Sequence, residues 1–199
     1  MSVLNFHLVI KQELSLKNVL ESMHKHLDLH IEVDHLCSIK NWQWEDEQRL
    51  NCQKEIANSL SQGRIVVVYF DKKEFENFGV YIENIDAMYI YSFWWNANET
   101  EICNMKGKEL LQHLSATSML DRLERIISEC CTDFVSIAFG EETAFNYCKC
   151  TQKMVETSHN IVFWLFKKCD AIKSISSLQK IGDIAYLNAS LYMPCQTCV

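Results

Sequence analysis

Two short apolar segments, each preceded by an amphipathic stretch, most constrain how this chain can fold. Residues 65–70 and 161–166 are continuous apolar runs rich in β-branched and aromatic side chains. This composition is typical of strands buried on both faces. The stretches before them, 52–60 and 150–157, both begin near a cysteine, a glutamine and a lysine. This similarity indicates two helix-to-strand units, 52–70 and 150–166, and suggests an internal duplication.

The remaining periodicity predicts further helices and strands around these two units. Helical spacing of apolar residues is found over 15–26, 44–60, 110–114, 119–128 and 143–157. Strand patterns are found over 5–11, 29–33, 78–85, 88–95, 134–139 and 184–193. We therefore predict a mixed α/β (α+β) fold, a β-sheet with amphipathic helices. Its first α/β half is 1–100 and its second is 101–199; pseudo-repeated halves and one undivided domain both fit the pattern.

Composition indicates an ordered chain of the reducing cytosol. Of 199 residues, 48% are apolar and only one is proline, which is typical of a globular protein. The ten cysteines follow an N-terminus that does not resemble a signal peptide, so we expect free thiols and a cytoplasmic location. No apolar run approaches the ~20 residues of a membrane span. We therefore expect no membrane association.

The net charge of −7 bears on the kind of partner. Phosphate contacts need clustered Lys and Arg, so we expect no nucleic-acid binding. An acidic surface suits a basic protein partner, although solubility alone also explains the charge. The sequence does not indicate an oligomeric state.

Two clusters carry residue types that bind zinc. Residues 24–35 hold four histidines among carboxylates, with His26 and His30 at helical spacing from each other, and zinc binds such groups. The cysteine pairs are Cys148 with Cys150, and Cys195 with Cys198. However, a helix that ends near residue 28 separates the histidines, and core thiols explain the cysteines. We therefore predict no metal or cofactor, with zinc as the alternative.

The chain lacks the common catalytic signatures. It contains no phosphate-binding loop, dinucleotide-binding turn, nucleophile elbow or His-Glu-x-x-His helix. Its five glycines are too dispersed to cradle a phosphate. We therefore predict no catalytic residues and lean away from an enzyme.

Large aromatic side chains lie beside acidic ones at two places in the first half. Aromatic anchors with carboxylates nearby are typical of an interface for a basic protein. The first predicted patch contains Trp42, Trp44, Glu45, Asp46 and Glu47. The second contains Trp94, Trp95, Glu99 and Glu101.

These observations favour a binding protein. The specific hypothesis is a bacterial immunity-type protein, which neutralises a toxin by covering its active site with the acidic, aromatic face. One alternative is a small metal-dependent enzyme that uses the histidines of 24–35 or the C-terminal cysteines. Another is a structural or regulatory subunit of a larger assembly.

Overall fold

The computed structural model describes residues 3–27, 31–71, 78–96, 107–131, 133–168, 172, 175–184 and 187–195. The described strands are β1 (Val3–Ile10), β2 (Glu32–Ile39), β3 (Gln48–Leu50), β4 (Ile65–Asp71), β5 (Phe78–Ile85), β6 (Met88–Asn96), β7 (Phe134–Ala144), β8 (His159–Lys167), β9 (Leu178–Ile184) and β10 (Ala189–Pro194). The described helices are α1 (Leu16–Leu27), α2 (Gln53–Ser61), α3 (Gly107–Ala116), α4 (Met119–Cys130) and α5 (Thr151–Thr157). The fold is mixed, as predicted, but strands dominate it.

All ten described strands belong to one antiparallel sheet. Their order is β3-β2-β4-β5-β6-β1-β7-β8-β10-β9. The first strand of the chain lies inside the sheet, because β1 pairs with β6 on one side and with β7 on the other. Phe6 of β1 lies opposite Phe93 in one register and Phe139 in the other. The pairing of β1 therefore joins strands from both halves of the sequence.

The two faces of the sheet are covered differently. We call the face that carries Phe6, Phe93 and Phe139 the front face, and the other the back face. Helices α1 to α4 pack on the front face, where each contributes to one large apolar core. Helix α5 packs on the back face, where Met154 joins a smaller cluster with Trp164 and Phe166 of β8. None of the described helices is long and apolar enough to cross a bilayer.

Several predicted elements are confirmed. The run 65–70 forms β4, which is buried over most of its length and has neighbours on both sides. The segments 78–85 and 88–95 form the hairpin β5–β6. Its turn residues Asp86 and Ala87 have φ of 56° and 63°, the left-handed values that a tight hairpin turn requires. These predictions succeed because they depend on local residue patterns.

Four predicted boundaries are wrong. The helix predicted over 44–60 is instead a loop, then β3, then α2. Trp44 and Asp46 have φ of 61° and 50°, which a right-handed helix does not allow. The helix predicted over 143–157 begins only at Thr151, because β7 continues to Ala144. The strand predicted over 29–33 begins at Glu32 and runs to Ile39, and the strand predicted over 184–193 is parts of β9 and β10.

The two helix-to-strand units, 52–70 and 150–166, are not equivalent in the sheet. Ile56 and Leu60 of α2 belong to the front core, whereas Met154 of α5 belongs to the back cluster. The strands that follow also differ in order, since β5 lies next to β4 but β10, and not β9, lies next to β8. This architecture does not show a duplication.

A buried histidine lies at the centre of the back face. The two ring nitrogens of His7 on β1 lie 2.8 Å from Ser92 Oγ and 2.6 Å from Thr143 Oγ1. The ring also stacks on Phe145, with centroids 4.5 Å apart. Burial lowers the pKa of His7 from its ordinary value of 6.5 to about 4. The folded chain therefore holds this imidazole neutral at physiological pH.

The burial of His7 predicts a loss of stability in weak acid. The unfolded chain binds a proton at His7 below pH 6.5, whereas the folded chain does so only near pH 4. Stability should therefore fall by up to about 3 kcal/mol as the pH drops across this window. Urea unfolding followed by fluorescence measures the free energy of unfolding at each pH. His7→Gln should remove most of its fall in acid.

Histidine 159 supplies the control, because it is exposed on β8. His159→Gln should keep the pH profile of the unchanged protein. If the profile of His7→Gln instead runs parallel to that of the unchanged protein, His7 does not cause the loss.

Candidate protein-binding face

The back face over the first half carries a continuous group of aromatic rings. We call Trp42, Tyr69, Tyr81 and Trp94 the aromatic patch. Tyr69, Tyr81 and Trp94 lie on the neighbouring strands β4, β5 and β6 and are half-buried. Among the described helices, only α5 lies on the back face, and it covers β7 and β8. The described helices therefore leave the aromatic patch uncovered. The front-face helices pack against the other side of the same strands.

Ring contacts link the whole patch. The centroids of Tyr69 and Trp94 are 5.8 Å apart at 77°, and those of Tyr81 and Trp94 are 6.0 Å apart. Trp42 meets Tyr81 edge-on at 5.0 Å. His35 of β2 extends the patch by stacking on Tyr69 at 4.1 Å. The three spacings within the patch lie in the range of favourable aromatic pairs, so each ring is held by its neighbour.

A glycine lets the Trp94 indole lie flat on the sheet. Gly79 of β5 is directly opposite Trp94 in the β5–β6 register. A Cβ atom at position 79 would lie 2.4 Å from Trp94 Cζ2 and 2.6 Å from the Val68 carbonyl oxygen. Any larger residue would therefore displace the indole. A glycine in a strand often marks such a close approach.

The loop that carries Trp42 is held together by its own hydrogen bonds. The Asn41 side chain accepts from the Gln43 backbone N–H at 3.1 Å and donates to Glu45 Oε2 at 2.8 Å. The Lys40 backbone N–H donates to the Glu45 carbonyl at 2.9 Å. These contacts close the loop between β2 and β3 and place Trp42 over Tyr81.

Arg64 fixes this loop to the sheet. Its guanidinium, almost completely buried, donates to Ser38 Oγ at 3.0 Å and to the Ser38 carbonyl at 3.2 Å. The same group donates to Asp46 Oδ2 at 2.7 Å and to the Asp46 carbonyl. The hydrogen bond from Arg64 lowers the pKa of Asp46. Asp46 therefore helps to attach the loop to the sheet. The positive charge of Arg64 offsets most of the negative charge of its carboxylate.

Other carboxylates lie at the edge of the patch. Glu83 of β5 accepts a hydrogen bond from the Trp42 side chain, and burial raises the pKa of Glu83. Glu47 lies beside Cys37, where burial first, and then the Glu47 charge, raise the pKa of the thiol to about 11. Glu45 is exposed. The patch thus combines aromatic rings with acidic side chains.

The structure reorganises the two predicted patches. Trp42 and Trp94 are brought together on the back face, because both contact Tyr81. Trp95 points to the front face, as strand alternation requires, and contacts Phe139 there. It therefore does not form a surface with Trp94. Trp44 is 39% exposed in the loop, and Glu99 and Glu101 lie outside the described residues.

Sequence reasoning missed four members of this surface: His35, Tyr69, Tyr81 and Glu83. Tyr81 and Glu83 are two residues apart in β5, so alternation already placed them on one face. The signal for Tyr69 was hidden, because it belongs to a run that is apolar throughout. Only the pairing of β4 with β2 shows that His35 lies opposite Tyr69.

The predicted metal ligands do not converge. His26 of α1 lies 2.9 Å from Glu129 Oε1 of α4, where Lys25 also binds, so it takes part in a contact between these two helices. Cys148 is half-buried and Cys150 is exposed before α5, while Cys195 Sγ donates to the Ser176 carbonyl. His30 and Cys198 lie outside the described residues. Within the described ranges, no three His, Cys, Asp or Glu side chains are placed to hold a metal.

The role of Arg64 predicts the effect of its removal. Arg64→Ala leaves the Ser38 and Asp46 carbonyls without their charged donor, so the free energy of unfolding should fall by about 2 kcal/mol. The loop should also detach more often, and trypsin should then cleave faster after Lys40. Arg49→Ala on β3 is the control, since Arg49 is exposed. Equal cleavage rates in the two variants would contradict the attachment.

The functional interpretation of this face rests on its geometry, because comparisons with known proteins found no match. No family model matches the chain, and neither a curated protein nor a solved structure matches it.

Proposed function

We propose that this chain is a protein-binding module whose aromatic patch and neighbouring carboxylates cover a basic partner. The observation that carries the proposal is the linked aromatic patch on a part of the sheet that the described helices leave accessible. The partner class is a basic enzyme, and binding blocks its active site. This is the mode of action of an immunity-type protein that neutralises a toxin.

Exposure of apolar side chains supports this location. Trp42 is 50% exposed, although a tryptophan side chain gains most from burial. Ile85, further along β5 from Tyr81 and Glu83, is also exposed. Tryptophan and tyrosine are the residue types that most often dominate binding energy at interfaces. Trp42 is therefore the proposed anchor, and Tyr81 and Trp94 form its base.

The chemistry of the patch specifies the partner's contact residues. Lysine and arginine side chains bind over the faces of tryptophan and tyrosine rings. The carboxylates of Glu45 and Glu47, both exposed, attract the same cations from a distance. A partner surface rich in lysine and arginine, such as the phosphate-binding cleft of a nuclease, satisfies both requirements.

The rigidity of the patch supports inhibition by occlusion. Three of its rings lie on adjacent paired strands, and the fourth is held by a loop that Arg64 attaches to the sheet. A preformed surface loses little conformational entropy on binding. The proposed site of action is the cytosol, where the seven described cysteines, all free, would stay reduced.

The proposal predicts which substitutions weaken binding. The partner to test is the basic enzyme encoded beside the gene for this chain, with affinity measured by calorimetry. Trp42→Ala should weaken binding by about 30-fold or more, because it removes the central anchor. Glu45→Gln with Glu47→Gln should mainly slow association, and the effect should diminish at high salt.

Matched controls lie on other parts of the surface. Ile181 of β9 is 44% exposed at the far edge of the sheet, so Ile181→Ala removes a comparable exposed apolar group. Glu156→Gln on α5 removes an exposed carboxylate. Both should bind normally. An affinity unchanged by Trp42→Ala, or a gene neighbourhood of metabolic enzymes alone, would contradict the proposal.

A further inference from the structure

A large apolar cavity lies on the other side of the sheet from the aromatic patch. It measures about 220 Å³ and is bounded by the front face together with α1, α3 and α4. Strands β1, β5, β6 and β7 form its floor through Phe6, Phe78, Phe93, Trp95 and Phe139. The cavity is therefore part of the main core and is separate from the proposed protein-binding face.

Among the described residues that line the cavity, the two thiols are the only polar side chains. Val19 and Met23 of α1, and Ile126 and Ile127 of α4, face the floor across the cavity. Cys130 and Cys131 complete this wall, and burial raises the pKa of both thiols. The thiols therefore stay protonated, and the lining carries no charge. Water gains little in such a site because it finds too few hydrogen-bond partners.

The size of the cavity exceeds what imperfect packing normally leaves. Protein interiors contain few voids larger than a water molecule. An engineered apolar cavity of about 150 Å³ already binds benzene, and the one described here is larger. A molecule with one fused ring more than benzene, or a hydrocarbon chain of similar volume, would restore the missing contacts.

We propose that this cavity is a binding site for an uncharged apolar ligand about the size of naphthalene. The aromatic floor fits a flat ring or a chain laid along it, and the aliphatic residues of α1 and α4 line the opposite side. A charged ligand is excluded, because an ion in this lining would lose its hydration without gaining a partner. Half-buried Met23, Leu27, Met119 and Leu123 border the cavity, and the flexible side chains of the two methionines can move aside to admit a ligand between the helices.

The test uses 1-bromonaphthalene, an uncharged ring compound that quenches tryptophan emission. Trp95 lines the cavity, whereas Trp42, Trp44, Trp94 and Trp164 do not. Titration should give saturable quenching in the unchanged protein, and Trp95→Phe should remove most of that signal. Absence of saturable quenching, or full quenching in Trp95→Phe, would overturn the proposal.

Filling the cavity should abolish binding without unfolding the chain. Val19→Phe places a ring in the cavity and should weaken binding by at least about tenfold while preserving or raising Tm. Cys131→Leu is a smaller filling variant that should act in the same direction even if Val19→Phe lowers Tm. Val155→Phe on α5 is the matched control, since it adds the same volume on the back face. Equal affinity of Cys131→Leu and Val155→Phe would contradict the site.

The ligand class has its own test. Naphthalene should displace 1-bromonaphthalene, whereas naphthalene-1-carboxylate, which has the same ring with a charge, should not. Equal displacement by the two compounds would show that the cavity does not select uncharged ligands. Neither result depends on the aromatic patch, so this proposal can fail while the protein-binding proposal stands.

Discussion

The double pairing of β1 is the constraint on which the rest of the structure depends. This strand is first in the chain but sixth in the sheet, between β6 and β7. Its even-numbered residues from Leu4 to Ile10 lie in the front core, and His7 lies buried on the back. The strand thus joins five strands on one side to four strands on the other. Such contacts between residues more than 120 positions apart carry a large entropic cost of closure, which burial of both faces offsets.

The same sheet gives its two faces different properties. On the front face, α1, α3 and α4 stand over the strands and leave an apolar cavity of about 220 Å³. On the back face, α5 is the one described helix and covers only the second half, so the described helices leave the aromatic patch over β4, β5 and β6 uncovered. The binding sites proposed on the two faces are therefore both consequences of how helices are distributed over one sheet.

Sequence patterns predicted the parts of the fold that depend on neighbouring residues. The buried run of β4 and the β5–β6 turn at Asp86 and Ala87 are both local signals. The loop before β3 was not predictable in this way, because its conformation depends on Arg64, which follows Asp46 by 18 residues. The prediction also placed Trp94 and Trp95 in one patch, although alternation along β6 directs them to opposite faces. Convergence of Trp42, Tyr69, Tyr81 and Trp94 follows only from the register of three strand pairs.

Native-state hydrogen exchange, measured peptide by peptide, tests the role of β1 most directly. If β1 joins the halves, its amides should exchange as slowly as those of β4 and β8, with protection close to that of global unfolding. The strands of both halves should then lose protection together as denaturant is added. Early exchange of β1, with β4 and β8 still protected and unfolding at separate denaturant concentrations, would contradict the account of a single sheet joined at its centre.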